Sequence, residues 1–414
     1  MKNTLLFIAL SIIAGICHTQ TANVVGYLPS YRFFSSSQIE YCKLTHLNLC
    51  FANPDGSGNI VMPSISSVVT DAQNGNPNII ICISLAGGAL SAQQASDWSN
   101  LIDIPANRPG FIANIVNYAI ANDLDGVDVD LEWGHVTSGY SDFIVELDAA
   151  LTAENKILTV AFPNQTLFSN VTSAALNSFD FINIMAYDAT GPWNPSAPGQ
   201  HSSYNFANDG INFWKNSVGI PANKLTLGVP FYGYEFVNPS TVNAVTYSQM
   251  VAIDTTYADL DNVGNIYYNG RPTIASKVDL AVNEVGGIMI WELGQDSFDQ
   301  FTLLGTIHDK FTALNVTTTG LCGNGDTLSV VDQALEYPFI VYPNPTSGSI
   351  TVEMRDSYSP FRTKLRNLKG QIINTEELEH SGKILLDIEG SYGYYFLEIV
   401  TPEDEKSVIK ILKE

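Results

Sequence analysis

Eight short apolar runs recur along residues 24–291, and they limit the folds open to this chain more than any other feature. The runs occupy residues 24–28, 45–52, 79–84, 126–132, 158–162, 181–187, 225–230 and 287–291. They are rich in Val, Ile and Leu, which is typical of parallel strands buried on both faces. Helix-like stretches lie between and after them, at residues 111–122, 140–154, 205–217 and 298–314 among others. Eight strand–helix units predict an α/β fold, a (β/α)8 TIM barrel, which typically takes about 250 residues.

The character of the sequence changes after Asn315. Residues 315–335 are polar and glycine-rich, which is typical of a linker. From residue 336 onward, short alternating runs are separated by turn residues, and about seven short strands in this space favour a small all-β sandwich. We therefore expect a barrel over residues 21–314, a linker over 315–335 and a β-sandwich domain over 336–414.

The N-terminus has the pattern of a secretory signal peptide. Lys2 supplies a positive end and residues 4–17 form an apolar run that is short for a membrane span. We expect residues 1–20 to be this signal, and no other segment is long and apolar enough to be a membrane helix. Export permits disulfides, and the four later cysteines allow three full pairings. Cys50 and Cys82 lie in apolar runs, which favours buried free thiols.

The formal net charge of -23 excludes some partners without identifying a substrate. It argues against nucleic acid and anionic membrane surfaces, which attract basic patches. A neutral polysaccharide needs no charge match and remains compatible. No cysteine–histidine spacing suggests zinc, and we expect neither a metal nor another cofactor.

A run of acids interrupts the fourth apolar segment. Because side chains alternate along a strand, Asp128, Asp130 and Glu132 share one face about 7 Å apart, while the intervening valines and leucine share the other. Carboxylates buried together cannot all be ionised cheaply, so their pKa values must split. A calcium loop needs a flexible turn, whereas these acids alternate with β-branched residues. Glu132, the last acid, is expected at the C-terminal mouth, where barrel active sites lie.

At these residues the chain resembles glycoside hydrolase family 18. Residues 125–132 match the D-x-x-D-x-D-x-E signature, and residues 185–188, Met-Ala-Tyr-Asp, match M-x-Y-D. Residues 83–88, Ile-Ser-Leu-Ala-Gly-Gly, are similar to the third-strand S-x-G-G motif. The first, second, seventh and eighth strands agree as well, so the resemblance covers residues 23–312.

The resemblance implies a substrate-assisted retaining mechanism. Glu132 is the implied acid and later the base, and Asp130 holds the acetamido group of the substrate. Asp128 shares a proton with Asp130. Tyr187 and Asp188 contact the same sugar.

The resemblance also implies a set of binding residues. Tyr27 and Ser84 match positions that steady Asp128, and Trp291 matches the floor of the sugar pocket, which Phe51 and Met185 line.

The outer part of the cleft has further candidate residues, and here this sequence also differs from the family at two positions. Trp193 matches an aromatic residue on the reducing-end side. Trp133, beside the acid, is equally compatible with packing and with binding. The family often has tryptophan where Ala89 stands and arginine where Tyr234 stands. Residues 233–286 are also too few for the large insertion of processive members. This short segment and the absence of tryptophan at Ala89 both favour an open, endo-acting cleft.

The tail resembles a type IX secretion sorting domain at residues 341–349, 365–372 and 393–397. A chitin-binding module would fit the same strand pattern. Together the resemblances imply a monomeric, secreted chitinase, carried through the periplasm and outer membrane by the type IX machinery and released or attached to the cell surface. Its partners are chitin or chitooligosaccharides. The alternatives are an endo-β-N-acetylglucosaminidase acting on N-glycans and a noncatalytic chitin-binding lectin of the same fold.

Overall fold

Eight parallel strands close into a barrel in the computed structural model, which describes residues 21–318, 339–354, 361–367, 371–378, 383–400 and 406–413. The strands are β1 (Thr21–Pro29), β2 (His46–Pro54), β3 (Ile80–Ala86), β4 (Gly126–Asp130), β5 (Ile157–Pro163), β6 (Phe181–Met185), β7 (Leu225–Pro230) and β8 (Gly287–Trp291). Each pairs with the next, and β8 pairs with β1, so no edge remains open. The predicted TIM barrel is confirmed, and all eight strands lie where the apolar runs predict them.

Helices cover the outside of the barrel. They are α1 (Ser66–Gly75), α2 (Ala92–Ile102), α3 (Arg108–Ala121), α4 (Tyr140–Ala153), α5 (Ser173–Ser178), α6 (Tyr204–Asn212), α7 (Tyr247–Ile253), α8 (Arg271–Glu284) and α9 (Leu303–Ala313). A π-helical turn, Phe213–Val218, continues α6. The outward-facing Val127, Val129 and Leu131 of the fourth strand segment belong to the apolar core that joins strands and helices.

A small insertion follows β7. Strands Tyr232–Asn238, Thr241–Thr246, Ile266–Tyr267 and Asn262–Val263 form a four-stranded antiparallel sheet, together with α7. Tyr232, Tyr234 and Phe236 of its first strand are buried. This insertion brings tyrosine side chains to the mouth of the barrel.

The chain forms two compact units, one ending at Gly323 and the other beginning at Asn324. In the second unit, one sheet contains Phe339–Tyr342, Ser349–Met354 and Lys383–Asp387, and the other contains Ile372–Leu378, Phe361–Asn367, Gly393–Val400 and Lys406–Lys413. Ile350, Leu386, Leu365 and Leu397 from both sheets meet in one apolar core. The predicted β-sandwich is therefore confirmed for the described part of the tail.

Several predictions concern the ends of these units. The predicted signal peptide, residues 1–20, and residues 319–335 of the predicted linker lie outside the described residues. Within the part of the linker that is described, Thr317–Thr318 pairs with β1 and Val316 is buried, so the barrel unit extends past the predicted boundary at 314. Cys50 and Cys82 are buried free thiols, and Cys42 is disulfide-bonded. None of the described helices is long and apolar enough to cross a membrane.

Candidate active site

The acidic residues of the fourth strand form a column that rises to the barrel mouth. β4 ends at Asp130, two residues earlier than the apolar run predicts. Glu132 nevertheless keeps an extended backbone, with φ −120° and ψ 153°, before the short helical turn Trp133–His135. The alternation of side chains therefore continues beyond the strand, and the three acids share the inner face as predicted from the spacing.

Asp128 lies at the bottom of this column and is held by hydroxyl groups. Its carboxylate accepts hydrogen bonds from Tyr27 Oη at 2.8 Å and Ser84 Oγ at 2.7 Å on one oxygen. Thr159 Oγ1 donates to the other oxygen at 2.7 Å. Burial raises the pKa of Asp128, and these bonds oppose the rise because they favour the anion. The structure thus places Tyr27 and Ser84 where the resemblance implies and adds Thr159 from β5.

A second layer of polar groups supports this arrangement. Asn183 Nδ2 of β6 donates to Tyr27 Oη at 3.1 Å, and Thr226 Oγ1 of β7 donates to Asn183 Oδ1 at 2.6 Å. All three residues are buried. The signal that could have revealed Thr159, Asn183 and Thr226 is a single polar residue inside each otherwise apolar run.

Asp130 and Glu132 have strongly perturbed acidity. The pKa of Asp130 lies well above its usual range, mainly because the group is buried and also because Glu132 and Asp128 carry like charges nearby. The pKa of Glu132 is raised to about 7, mainly by burial and to a smaller extent by the charge of Asp188. A hydrogen bond from Trp133 opposes this rise. A carboxyl group with this pKa is protonated often enough near neutral pH to act as a general acid. Among the described residues, Asp130 Oδ1 is buried without a hydrogen-bond partner.

Two glycines after β3 leave space for neighbouring side chains. A Cβ atom on Gly87, whose φ is +86°, would lie 2.5 Å from the Phe51 ring. A Cβ atom on Gly88 would lie 2.4 Å from Glu132 Oε1. The S-x-G-G motif therefore has a steric role, since it allows an aromatic ring and the acid to approach the loop backbone.

Aromatic residues form a floor beside the acids. Trp291 at the end of β8 stacks on Phe51, with ring centroids 5.5 Å apart and an interplanar angle of 21°. Tyr27 lies against the same indole, with centroids 5.7 Å apart. Met185, like Trp291 and Phe51, packs against the buried cluster that contains Tyr27 and Tyr187. The structure thus brings the predicted pocket residues together.

Tyr187 and Asp188 follow β6. The hydroxyl of Tyr187 lies 3.8 Å from Met289 Sδ, and burial with the charge of Asp130 raises the pKa of Tyr187 well above its usual range. The phenol therefore remains a hydrogen-bond donor. Asp188 has a left-handed backbone, φ +64°, and its Oδ1 accepts hydrogen bonds from Tyr232 Oη at 2.5 Å and Tyr234 Oη at 3.0 Å.

His201 lies behind Asp188 and was not predicted. The backbone N–H of Asp188 donates to His201 Nδ1 at 3.4 Å, and Nε2 faces the Tyr232 carbonyl oxygen at 3.2 Å. The imidazole packs between the Tyr232 and Tyr234 rings, with both centroid distances 5.0 Å. No sequence motif marks this residue, because its partners come from β6 and from the insertion.

A cleft of about 630 Å³ extends from the acid along the barrel mouth. Its lining includes Glu132, Trp133, Asn164, Met185, Tyr187, Asp188, Trp193 and Phe206. Trp133 and Trp193 are 58% and 57% exposed, so neither is a core residue. Trp193 also contacts the Tyr234 ring edge-on, with centroids 5.9 Å apart. In the described part of the chain, no group of three His, Cys, Asp or Glu side chains is arranged to hold a metal ion.

Fold and site together define a glycoside hydrolase built on a (β/α)8 barrel. Residues 23–296 match glycosyl hydrolases family 18, and the chain belongs to this family. Residues 340–414 match the secretion system C-terminal sorting domain, as the tail motifs predict.

Solved structures and curated sequences agree with this assignment. The GH18 chitinase ChiB from the chitin utilization locus of Flavobacterium johnsoniae is 54% identical, with a TM-score of 0.72 over 75% of this chain and 100% of that chain. A chitinase from Bacteroides thetaiotaomicron is 28% identical, with a TM-score of 0.61 over 70% of this chain and 96% of that one. A class V chitinase of Arabidopsis thaliana is 24% identical over 64% of this chain and 83% of its own length.

Proposed function

We propose that the protein is an exported chitinase that hydrolyses β-1,4 bonds between N-acetylglucosamine units. The observation that carries this proposal is the acid Glu132, with its pKa raised to about 7, at the top of a buried carboxylate column. The column lies in a domain whose 54% identical structural relative is a chitinase.

The proposed reaction uses the substrate as its own nucleophile. Glu132 protonates the glycosidic oxygen, and the acetamido carbonyl oxygen of the sugar at subsite −1 attacks the anomeric carbon. The C–O bond to the leaving sugar breaks and an oxazolinium ion forms. Glu132, now ionised, takes a proton from water as the water attacks the anomeric carbon from the side that the leaving sugar vacated. The bond between the anomeric carbon and the acetamido oxygen breaks, which restores the acetamido group. Two inversions give net retention.

The other residues hold this intermediate. Asp130 Oδ1, which lacks a partner among the described residues, accepts the acetamido N–H and stabilises the positive ring. Asp128, held by three hydroxyl donors, shares the proton of Asp130. Tyr187 donates to the acetamido oxygen, and Trp291 stacks on the apolar face of the sugar.

The leaving-group side of the cleft runs past Trp133 and Trp193. Both indoles are exposed in the cleft, which suits stacking on sugar rings. The insertion after β7 adds only a four-stranded sheet and α7, and Ala89 replaces a possible aromatic platform. These features support internal cleavage with ready release of the chain. Rapid viscosity loss of soluble chitosan relative to new reducing ends tests this mode.

The two ends of the chain serve export in this proposal. Residues 1–20 are the signal peptide, the catalytic domain begins at residue 21 and includes Thr317–Thr318, and the sorting domain covers residues 336–414. The protein then acts as a monomer outside the cell, free or attached to its surface. Size-exclusion chromatography and cell fractionation with and without residues 336–414 test these statements.

The decisive assay separates the three candidate activities. Purified protein is incubated with chitooligosaccharides and, separately, with an N-glycosylated protein, and a Glu132→Gln variant is the matched control. Cleavage of the oligosaccharides that is lost in the variant supports a chitinase. Release of N-glycans alone would indicate the endoglycosidase, and sugar binding without hydrolysis by the wild type would indicate a lectin.

A further inference from the structure

The orientation of Tyr187 depends on contacts with a second segment of the chain, residues 201–202. After β6 ends, residues 186–189 form neither helix nor strand, so no regular hydrogen-bond ladder fixes their backbone. Ser202 Oγ donates to the carbonyl oxygen of Ala186 at 2.7 Å. This carbonyl group belongs to the peptide bond that leads directly into Tyr187.

Two more hydrogen bonds join the same segments on the other side of Tyr187. The backbone N–H of Asp188 donates to His201 Nδ1 at 3.4 Å, and the N–H of Ala189 donates to the His201 carbonyl oxygen at 2.9 Å. Because these bonds lie before and after Tyr187, a shift of residues 201–202 would shift the backbone that carries the phenol.

Residues 201–202 form neither helix nor strand themselves, and Lys277 of α8 holds them. Lys277 is completely buried, and its Nζ donates to the carbonyl oxygen of Ser202, to Ser202 Oγ and to Asn269 Oδ1, each at 2.7 Å. Asn269 Nδ2 donates to the same Ser202 carbonyl oxygen at 3.0 Å. An ammonium group has donors and no acceptor, so Ser202 Oγ accepts from Lys277 and must direct its own hydrogen elsewhere. That hydrogen goes to the Ala186 carbonyl oxygen.

The cost of burying Lys277 indicates that its hydrogen bonds have a role beyond packing. All three of its acceptors are neutral groups, and a buried charge without a counter-ion destabilises the folded state. A methionine side chain would fill a similar volume without this cost. Destabilising groups of this kind are expected mainly at functional sites. Two of the three bonds converge on Ser202, the residue whose hydroxyl contacts the backbone beside Tyr187.

We propose that Lys277 is a positioning residue for Tyr187, which it holds through Ser202 and the backbone of Ala186. The inference rests on the proposed function, in which Tyr187 donates a hydrogen bond to the acetamido oxygen. Lys277 is buried and outside the cleft lining, so it acts without contacting the substrate. Its ammonium group directs the Ser202 hydroxyl toward Ala186 and thereby fixes the backbone from which the phenol extends. Without the ammonium group the hydroxyl is free to rotate, and Tyr187 is held less accurately.

The test is a double-mutant cycle that pairs Lys277→Met with Tyr187→Phe, and a second cycle that pairs Ser202→Ala with Tyr187→Phe. Both kcat and KM are measured on a chromogenic chitooligosaccharide at a pH below about 7, the value to which burial lowers the pKa of Lys277, so that the wild-type amine is protonated. Lys277→Met and Ser202→Ala should each lower kcat about tenfold, less than the about 10²-fold cost of a full 1 Å misplacement. KM should stay within about threefold, because most substrate contacts are unchanged. In the Tyr187→Phe background neither change should lower kcat further, since the group that they position is gone.

Lys310→Met is the matched control, because it removes a partly exposed lysine of α9 that pairs with Asp279 of α8 at 2.9 Å. Its kcat should equal that of the wild type. If Lys277→Met lowers kcat as much in the Tyr187→Phe background as in the wild type, Lys277 does not act through Tyr187 and the inference is wrong. Wild-type kcat in both Lys277→Met and Ser202→Ala would also overturn it.

The cycle with Ser202→Ala decides the same question if Lys277→Met fails to fold, because this change removes only a hydroxyl group. An equal loss of kcat with and without the Tyr187 hydroxyl would then overturn the inference. A wild type that cuts no chitooligosaccharide would instead overturn the proposed chitinase function, so the two failures are distinguishable.

Discussion

Substitution of Gly88 by alanine should lower kcat by about 10²-fold while leaving the enzyme folded. A methyl carbon at this position would lie 2.4 Å from Glu132 Oε1 and 3.0 Å from its carboxyl carbon, where ordinary contacts begin at 3.4 Å. The carboxyl group must therefore retreat by about 1 Å, the difference between 3.4 and 2.4 Å. Because the obstacle is the end of a flexible side chain, the retreat is sterically easy and the fold is not strained.

The displacement matters for the chemistry. A misplacement of about 1 Å can cost about 10²-fold in rate when a catalytic group must meet its substrate at a defined distance. We expect kcat for Gly88→Ala on a chromogenic chitooligosaccharide to fall by about this factor. We expect the free energy of unfolding to stay within about 0.5 kcal/mol of the wild type, as is usual for exposed positions.

Gly134→Ala is the matched control, because its Cβ would meet nothing within 4 Å although it lies two residues from the acid. Both variants are assayed for kcat, KM and thermal midpoint. If Gly88→Ala retains a kcat within a few-fold of Gly134→Ala, the steric argument is wrong. A large fall in the thermal midpoint of Gly88→Ala alone would also refute it, since the loss would then reflect unfolding.

Three further predictions follow from the acids, the substrate-assisted step and one buried lysine. Because Glu132 must be protonated for the first step and its pKa is about 7, kcat/KM should fall about tenfold per pH unit above that value; a profile flat to alkaline pH would contradict this assignment. The first product should be the β-anomer by NMR, and a thiazoline analogue of N-acetylglucosamine should inhibit by resembling the oxazolinium ion; an α-anomer would indicate direct attack by water. Burial lowers the pKa of Lys277 from 10.5 to about 7, so between these values the unfolded chain binds a proton that the folded chain lacks. The stability of the wild type should therefore rise with pH relative to Lys277→Met, by up to about 1.4 kcal/mol per pH unit in chemical denaturation, and equal slopes would show that the pKa of Lys277 is not lowered in the folded chain.

The barrel and its carboxylates were predictable because they depend on short-range patterns. Two-sided burial requires Val, Ile and Leu in every strand, which made the eight runs visible. Alternation along one strand placed Asp128, Asp130 and Glu132 on one face, and this holds even though the strand ends at Asp130.

Boundaries depended on contacts that apolar patterns do not contain. The last barrel helix was predicted to begin at residue 298 but begins at Leu303. Thr302 Oγ1 accepts the Gly305 N–H, and the buried Asp296 carboxylate accepts the N–H groups of Leu303 and Leu304. These bonds satisfy the first free donors of the helix, so they determine where it starts.

The residues that sequence reasoning missed act across strands, and this explains both why they were missed and what they do. The missed residues Thr159, Asn183 and Thr226 each occupy the interior of a different strand as a polar residue in an apolar run, as do Ser84 and Asp128, which were predicted. Taken singly, each is a minor irregularity, but closure of the barrel brings them within hydrogen-bonding distance of one another or of Tyr27. An ionised Asp128 could not be buried without such donors, because an unpaired buried charge is costly. The interior of the barrel is therefore already adapted to the acid pair before any substrate arrives, and polar residues within the apolar runs of β3 to β7 are the sequence signal of that adaptation.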